Sequence, residues 1–599
     1  MPTSFETPAE ADFQALEFAY QRHADQRAVE PARHPLVIVG AGPVGLSLAI
    51  DLAQRGVRVV LLDNDHRLST GSRAICFAKR TLEIFDRLGC GQRMVDKGVS
   101  WNVGRLYFRD EQIYSFDLLA QAGHQRPAFI NLQQYYVEGY LAERAAQLPN
   151  IDLRWKNEVT QVEPVGSAES GHVTLTIATP EGPYTLHADH VIACDGSRSA
   201  VRKHMGLESK GQTFRDRFLI ADVKMEAPFP SERWFWFDPP FHPHQSVLLH
   251  RQPDKVWRID FQLGWEADPE EEKKPHNIVP RVKALLGADV EFTLEWASVY
   301  TFSCTRMERF RHGRVLFAGD AAHGVSPFGA RGANSGVQDA DNLGWKLAAG
   351  LRGEAPDALL DSYASEREAA ADENIRHSTR ATDFITPKSE ISRLFRDAVL
   401  DLAKEHAFAR TLVNSGRLST PATLHGSPLN TPDVAGEAFE GAMVPGACAV
   451  DAPVRRLWPD APAGMAGGAT PGSDRDDTAW LLGHVGGGAF TALVFDDAAA
   501  VNTLQGAGAG LAALSVVHIV RGASSASAKS APTAPAKTPP ITLGDTEGLA
   551  AQRFDARPGS VYLLRPDQHV CARWRTLDVT AFRAALQRAL GVSPDHSTP

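Results

Sequence analysis

Three short motifs of glycine and acidic residues occur in a fixed order in the first part of this chain. They are Gly40-Ala41-Gly42-Pro43-Val44-Gly45, Cys194-Asp195-Gly196-Ser197-Arg198 and Gly319-Asp320-Ala321-Ala322-His323. Glycine turns let the backbone approach a phosphate closely, and nearby carboxylates accept hydrogen bonds from sugar hydroxyls. Each motif is weak by itself, but together they predict one dinucleotide bound by three separate segments.

The first motif has the sequence context of a phosphate-binding turn. Residues 36–39 and 57–62 are apolar and rich in β-branched side chains, which predicts two buried parallel strands. Residues 46–55, between them, have helical periodicity. The N-terminus of this helix, at about Pro43, would offer free N–H groups to a phosphate.

Three glycines and one acid in this unit have distinct expected roles. Gly40 permits the tight turn, Gly42 lets the backbone approach a pyrophosphate, and Gly45 allows the helix to pack closely on the strand. Asp63 ends the second predicted strand, 23 residues after Gly40, where an acid accepts hydrogen bonds from a ribose diol. The alternative is an ordinary βαβ unit with glycines at its turn, and this motif alone does not separate NAD from FAD.

The other two motifs also follow predicted strands. Residues 190–193 form an apolar run before Asp195, and residues 314–318 form another before Asp320. A loop of small residues and a helix over 334–347 are predicted after the third motif. These two additional segments favour FAD as the bound dinucleotide.

At this point the sequence resembles the class A flavoprotein monooxygenases, the 4-hydroxybenzoate hydroxylase family. It is more similar to the longer phenol hydroxylases and 3-(3-hydroxyphenyl)propionate hydroxylases. The resemblance is strong over residues 35–380 and weak over 430–599. The matching positions are Asp195-Gly196, Gly319 to His323, Pro327, Gly329, Gly332, Asn334, Gly336 and Asp339 to Lys346.

The resemblance implies an α/β fold: a Rossmann-like FAD domain of the 4-hydroxybenzoate hydroxylase type, an inserted β-sheet substrate domain and a C-terminal thioredoxin-like domain. Because Cys-x-x-Cys does not occur, no redox role is expected of the last domain. The predicted boundaries are an N-terminal extension at 1–34 with one surface helix, FAD-binding segments at 35–205 and 295–430, the substrate sheet at 206–294, and the C-terminal domain at 431–599. Residues 521–540 are rich in Ala, Ser and Pro, which predicts a disordered insertion.

The resemblance also implies a reaction and its partners. NADH or NADPH would reduce FAD, O2 would form a C4a-hydroperoxyflavin, and a phenolic small-molecule substrate would be hydroxylated on its ring. Two alternatives stay open: another flavin enzyme on the same fold, such as an oxidase or epoxidase, and a non-catalytic FAD-binding protein. A homodimer is expected from the resemblance alone.

Several residues are expected to bind FAD. The resemblance implies that Asp320 accepts from ribitol or ribose hydroxyls, that the backbone of 329–334 faces the flavin, and that Arg73 reaches the phosphates. Arg331 stands where the family often has glutamine, and could face either the flavin or solvent. The complete predicted set is Gly40, Gly42, Gly45, Asp63, Arg73, Gln134, Asp195, Gly319, Asp320, Pro327, Gly332 and Asn334.

The catalytic side chains are harder to predict. A base near the substrate phenol would favour the reactive phenolate. Phenol hydroxylases place an aspartate just before the stretch that reads Arg-Thr-Leu-Glu at 80–83 here, but residues 73–78 contain no acid. His250 and Asp260 are the predicted substitutes, on either side of a hairpin turn at Pro253-Asp254. The alternative for His250 is a structural role.

Composition limits the other functions. The 599 residues carry a net charge of −10 with both signs interspersed, so neither a nucleic acid nor a membrane is an expected partner. Six cysteines are scattered without paired spacing, which argues against a disulfide framework and a metal site. Residues 1–21 lack the basic and apolar regions of a secretory signal, so a cytoplasmic protein is expected.

Overall fold

The computed structural model describes residues 16–68, 74–166, 171–227, 229–414, 418, 420–457, 478–522 and 540–592. These residues divide into two compact units. The first unit comprises the described residues of Met1–Ala120, Arg126–Asp341 and Ala371–Pro421, and the second those of Gln121–Gln125, Asn342–Ala370 and Ala422–Pro599.

The strands of the first unit are β1 (Ala32–Val39), β2 (Val59–Leu62), β3 (Cys76–Ala78), β4 (Val99–Trp101), β5 (Val103–Phe108), β6 (Glu111–Asp117), β7 (Phe129–Asn131), β8 (Ile151–Arg154), β9 (Glu158–Val165), β10 (His172–Ala178), β11 (Tyr184–Ala193), β12 (Ser209–Thr213), β13 (Arg217–Lys224), β14 (Arg233–Phe237), β15 (Ser246–Arg251), β16 (Val256–Leu263), β17 (Thr293–Tyr300), β18 (Ser303–Met307), β19 (Arg311–His312), β20 (Val315–Phe317) and β21 (His323–Gly324). The strands of the second unit are β22 (Pro453–Leu457), β23 (Thr478–Trp480), β24 (Phe490–Phe495), β25 (Leu514–Arg521), β26 (Ile541–Asp545), β27 (Val561–Leu564) and β28 (Val570–Trp574).

The helices are α1 (Pro43–Gln54), α2 (Lys79–Leu88), α3 (Gly91–Lys97), α4 (Gln134–Ala146), α5 (Ala200–His204), α6 (Pro269–Glu272), α7 (Pro275–Leu286), α8 (Gly332–Leu351), α9 (Leu359–Ile385), α10 (Glu390–Glu405), α11 (Ala407–Val413), α12 (Ala498–Leu504), α13 (Leu549–Arg553) and α14 (Val579–Ala589). Among the described residues, no helix is both long enough and apolar enough to cross a membrane.

A parallel sheet organises the three sequence motifs. Its strands run in the order β20-β11-β1-β2-β8, and each neighbouring pair is parallel. Strands β1, β11 and β20 therefore end at the same edge, and each is followed by one of the three motifs. The predicted strands before the motifs are confirmed, as are the helices after the first and third motifs.

A second sheet of the first unit has the order β17-β13-β16-β15-β14-β5-β6. Its pairs are antiparallel except for β14 and β5, which are parallel. Strands β15 and β16 form the predicted hairpin around Pro253-Asp254. One side of the sheet packs on a cluster that includes Val247, Ile259 and Phe261, and alternate residues face the other way.

The second unit contains a seven-stranded sheet in the order β23-β22-β26-β25-β24-β27-β28. Strands β24, β25 and β26 are parallel, whereas β27 and β28 form an antiparallel hairpin. Two hydrophobic clusters of this unit include Phe490 and Phe582 in one, and Phe495 and Tyr562 in the other. The predicted disordered insertion at 521–540 lies almost wholly outside the described residues.

The predicted surface helix of the N-terminal extension is wrong for the part that the structure describes. Residues 16–22 are not helical, and Glu17 instead forms a bridge with Arg67. The Phe18 ring stacks on Trp155, with 4.4 Å between the ring centroids. Phe18 is therefore held by a tertiary contact, and a short surface helix has too few contacts of its own to compete with it.

Candidate active site

The glycine turn after β1 is tightly packed at two positions and open at the third. Gly40 has φ +103°, and a Cβ there would lie 2.5 Å from the Cys194 carbonyl oxygen. A Cβ on Gly45 would lie 1.9 Å from the Gly40 carbonyl oxygen. A Cβ on Gly42 would meet no described atom within 4 Å. The open position lies at the N-terminus of α1, so the turn fits a pyrophosphate approaching Gly42.

Asp63, directly after β2, supports this turn. Its carboxylate accepts a hydrogen bond of 2.6 Å from the Ala41 N–H and another of 2.8 Å from the Asp65 N–H. Burial raises the pKa of Asp63, although these two hydrogen bonds oppose the shift. A carboxylate can accept about four hydrogen bonds, so two sites stay available for sugar hydroxyls. The ribose contact itself stays a prediction.

Asp195 caps a helix through one carboxylate oxygen and leaves the other without a hydrogen-bond partner among the described residues. One carboxylate oxygen accepts from the Val201 N–H at 3.1 Å, at the start of α5. The other is buried and has no hydrogen-bond partner among the described residues. Burial raises the pKa of Asp195. A buried acceptor without a donor is costly, so this oxygen fits a ligand that donates a hydrogen bond.

The third motif packs against the first. Gly319 has φ +62°, and a Cβ there would lie 2.9 Å from the Val44 side chain. The Gly319 N–H donates a hydrogen bond of 2.9 Å to Asp339 Oδ2. The same oxygen lies 2.7 Å from His323 Nε2. His323 is therefore buried beside Asp339 as a structural residue, whereas the neighbouring Asp320 faces a cavity.

A cavity of about 670 Å³ lies in the first unit, between the third motif and the second sheet. One wall is formed by the loop after the third motif and the start of α8, and includes Asp320, Pro327, Gly332 and Asn334. The opposite wall is formed by sheet residues, among them Arg233, His250, Arg258, Asp260 and Tyr300. Predicted cofactor-binding and predicted catalytic residues thus line the same cavity.

Asn334 fastens this loop to β3. Its side-chain oxygen accepts from the Ala78 N–H at 2.8 Å, and its amide group donates to the Cys76 carbonyl oxygen at 2.8 Å. Gln134 has a similar role at the other end of that segment, since its side-chain oxygen accepts from the Ala74 N–H at 3.2 Å. Both residues shape the cavity through the backbone that they hold.

Two arginines are expected near the cofactor, and the structure describes only one of them. Arg73 lies outside the described residues, so the prediction that it reaches the FAD phosphates stays a prediction. Arg331 is buried, lines the cavity and donates to the Asn374 side chain at 3.0 Å. Its side chain therefore faces the cavity, and the alternative that it faces solvent is wrong.

His250 and Asp260 share the cavity face of the β15–β16 hairpin. The register pairs His250 with Arg258 and Leu248 with Asp260, which places His250 and Asp260 diagonally on one face. His250 Nε2 lies 3.8 Å from Asp260 Oδ2, and His250 Nδ1 is buried without a hydrogen-bond partner among the described residues.

Their surroundings set the charge on each side chain. Burial, together with Arg233 and Arg258, lowers the pKa of His250 well below its usual range. Burial raises the pKa of Asp260 to about 6, although Arg258 opposes the shift. At neutral pH, His250 is therefore a neutral imidazole and Asp260 is mostly a carboxylate.

Sequence reasoning missed the arginines of this wall. Arg258 is buried and makes a two-point ion pair with Asp222, with hydrogen bonds of 2.8 and 2.7 Å. Arg233 lies opposite His250 in the register of β14 and β15. The signal available was the alternation Arg258-Ile259-Asp260, which puts both charges on one side of a strand.

Three aromatic residues of the second sheet have different roles. Tyr300 lines the cavity, and burial raises the pKa of its hydroxyl well above the usual range. Trp236 and Phe237 instead belong to two hydrophobic clusters, on opposite faces of β14. They are packing residues, which is the ordinary role of consecutive aromatic residues in a buried strand.

Comparisons with known proteins show the family of this chain. A family model described as FAD binding domain matches residues 33–378. The chain therefore belongs to this FAD-binding family of class A flavoprotein monooxygenases, and the predicted family and FAD cofactor are confirmed.

Two relatives and one solved structure are similar to this chain. The 3-(3-hydroxy-phenyl)propionate/3-hydroxycinnamic acid hydroxylase of Mycolicibacterium smegmatis is 29% identical over 370 residues, which are 62% of this chain and 64% of the relative. The probable NADH-specific resorcinol 4-hydroxylase of Rhodococcus jostii is 32% identical over 360 residues, which are 59% of this chain and 64% of the relative. The crystal structure of the flavin-dependent monooxygenase PieE, in complex with FAD and substrate, covers 94% of this chain and 100% of the PieE chain. The TM-score is 0.75 and the sequence identity is 21%, so the two proteins share a fold. The matches to both hydroxylases thus span less than two thirds of their lengths.

Proposed function

We propose that this protein is a FAD-dependent, NAD(P)H-consuming monooxygenase that hydroxylates a phenolic aromatic ring. The observation that carries the proposal is the single cavity lined by the FAD-loop residues Asp320 and Asn334 on one wall and by His250 and Asp260 on the other. The names of two relatives, both hydroxylases of phenolic compounds, agree with it.

Several of the chain's own groups fit the cofactor. The open turn at Gly42 would hold the pyrophosphate, Asp63 and Asp320 would accept from sugar hydroxyls, and the unpaired oxygen of Asp195 would accept a further hydrogen bond. The N-terminus of α8 would place its partial positive charge toward the flavin. Bound FAD supplies the redox chemistry, namely electron uptake from a nicotinamide and activation of O2.

The hairpin residues handle the substrate proton. The Asp260 carboxylate, with its pKa near 6, is mostly ionised at neutral pH and accepts the phenolic proton. His250 is a neutral imidazole, and its Nε2 lies 3.8 Å from Asp260 Oδ2, beside the carboxylate that accepts the proton. Both groups are nearly buried, so bulk water does not compete for these hydrogen bonds.

The arginines on the cavity wall favour an aromatic substrate with an anionic substituent. Asp222 compensates the charge of Arg258 through two hydrogen bonds. Arg233 adds a second guanidinium to the same wall, and Arg198 and Arg202 line the cavity as well. A carboxylate on the substrate would find a two-point partner in Arg233.

The remaining expectations from family resemblance belong to this proposal. The second unit would be the thioredoxin-like domain, which is supported by its β24–α12–β25 parallel unit followed by the β27–β28 hairpin and α14. A homodimer is part of the same proposal and rests on resemblance.

The test is NAD(P)H consumption by the FAD-loaded protein across a panel of phenols, with and without carboxylate substituents, under ¹⁸O2. The expected result is stimulation by a phenol and one ¹⁸O atom in the product. Substrate-independent oxidation with only peroxide as product would favour the oxidase instead. Absence of flavin reduction with either nicotinamide would favour a binding protein.

A further inference from the structure

A cysteine and a histidine of the second unit lie in direct contact. Cys448 Sγ is 3.1 Å from His569 Nε2. The two residues form an antiparallel bridge, and the backbone on both sides is paired: the Ala449 N–H donates to Gln568 at 2.8 Å, and the Val570 N–H donates to Ala447 at 2.9 Å. The main chain therefore holds the thiol and the imidazole together.

An aspartate orients the imidazole from its other side. His569 Nδ1 lies 3.3 Å from Asp567 Oδ1 and 3.1 Å from the Asp567 carbonyl oxygen. Both acceptors favour a proton on Nδ1, which leaves Nε2 directed at the sulfur. The three side chains thus form a Cys448–His569–Asp567 relay, the arrangement that activates a thiol in nucleophilic catalysis.

A buried charge network keeps Asp567 in place. Arg565 donates to Asp567 through Nε at 2.9 Å and also to Glu366 at 2.6 Å, and Glu366 accepts from Lys346 at 2.7 Å. These four charged side chains are fully buried. Arg565 therefore contacts the relay through Asp567, and Glu366 and Lys346 lie behind Arg565.

The same network sets the protonation of the imidazole. Burial opposes the charge of Asp567, but Arg565 and His569 outweigh it and hold the pKa of that carboxyl well below its usual range. Burial also opposes the charge of His569, but Cys448 and Asp567 outweigh it and raise its pKa to about 9. A protonated imidazole beside a thiol stabilises the thiolate.

Cys448 is more exposed than four of the other five cysteines. Cys448 and Cys76 are partly exposed, whereas the remaining four are buried. Cys76 has an amide neighbour instead of an imidazole, since its Sγ lies 3.2 Å from the Asn131 side-chain oxygen. Burial raises the pKa of Cys76 to about 11, so Cys76 is an internal control for a thiol without a relay.

We propose that Cys448 is a thiolate that reacts with hydrogen peroxide, and that His569 and Asp567 activate it. The thiolate sulfur attacks one peroxide oxygen, the S–O bond forms and the O–O bond breaks. The imidazolium proton of His569 passes to the departing hydroxide, which leaves as water. The sulfur is oxidised to a sulfenic acid, the peroxide is reduced, and His569 becomes neutral. A small uncharged oxidant suits a thiolate that is only partly exposed. This site is independent of the proposed flavin reaction.

The first test is the pH dependence of thiol alkylation in the FAD-loaded, full-length protein. Iodoacetamide labelling at each cysteine is followed by peptide mass spectrometry between pH 6 and 9, and unfolded protein serves as the reference for the same cysteine. Because an ordinary thiol loses about tenfold in thiolate per pH unit below its pKa, its rate falls steeply toward pH 6. The Cys448 rate should instead stay within about twofold from pH 6 to 8. A Cys448 rate that follows the unfolded reference overturns the proposal.

The second test uses hydrogen peroxide with a dimedone trap at pH 7. Sulfenic acid should form at Cys448 at least about tenfold faster than at Cys76, and His569→Asn should slow the Cys448 reaction by about tenfold or more. His569→Gln provides a second variant if the first does not fold, and circular dichroism checks both. Equal oxidation of the two cysteines, or an unchanged rate in a folded His569 variant, overturns the proposal.

Discussion

His250 and Asp260 lie diagonally across one β-hairpin, with 3.8 Å between His250 Nε2 and Asp260 Oδ2, and both line the cavity that the FAD loop also lines. Burial moves their pKa values in opposite senses, so the histidine stays neutral and the aspartate titrates near pH 6. Because the pKa values of the two groups lie apart, one group can accept a proton and the other can pass it on.

Replacing Asp260 by Asn should lower the rate of phenol hydroxylation by about 10²-fold or more, because the base that accepts the phenolic proton is removed. Reduction of the flavin by NAD(P)H should continue. The wild-type kcat should fall as the pH drops through about 6, where the carboxylate becomes protonated. Stopped-flow reduction and product yield measure the two steps separately. Asp289→Asn, the same change at an exposed position, is the matched control. Unchanged product yield in Asp260→Asn would contradict the assignment.

The same substitution should change the pH dependence of stability. The pKa of Asp260 is raised in the folded state, so its stabilising contribution is present below the unfolded-state pKa and is lost as the pH rises through about 6. Between pH 4.5 and 7.5, the wild type should lose on the order of 2 kcal/mol of unfolding free energy relative to Asp260→Asn. Urea denaturation of both proteins at both pH values gives the difference. A difference that does not vary with pH would show that Asp260 titrates normally.

Two glycines of the first motif should respond differently to alanine. A Cβ on Gly45 would lie 1.9 Å from the Gly40 carbonyl oxygen, so Gly45→Ala should destabilise the protein by roughly 1–3 kcal/mol or prevent folding. Gly42→Ala meets no described atom within 4 Å and should fold normally. It should weaken FAD affinity by about tenfold or more, because the Cβ occupies the approach of the pyrophosphate. Thermal unfolding without FAD and FAD titration separate the two effects. Normal FAD affinity in Gly42→Ala would argue against the turn as the phosphate site.

Arg233 should determine the preference for anionic substrates. Arg233→Gln should raise KM for a carboxylate-bearing phenol by about tenfold or more and leave KM for a neutral phenol within about twofold, because it removes a charged two-point partner. Steady-state kinetics with a matched pair of phenols measures both values. Arg251→Gln, an exposed arginine on the neighbouring strand, is the control. Equal effects on both phenols would place the substrate's anionic group elsewhere.

The strands and turns around the three motifs were predictable because their signals are local. Gly40 and Gly319 have positive φ within their own turns, and an apolar strand precedes each motif. The chain therefore carries these roles in short runs of residues that can be recognised without a structure. The hairpin around Pro253-Asp254 was predictable for the same reason.

The sequence was sufficient to predict the family, the FAD cofactor and the three motifs that we propose bind it, since turn geometry and strand patterning depend on neighbouring residues. Which distant polar residues meet depends instead on the tertiary fold. Asp222 and Arg258 pair across strands 36 residues apart, and Cys448 meets His569 across 121 residues. Such contacts depend on strand order and register, which arise from packing of the whole unit and leave no mark in the local sequence.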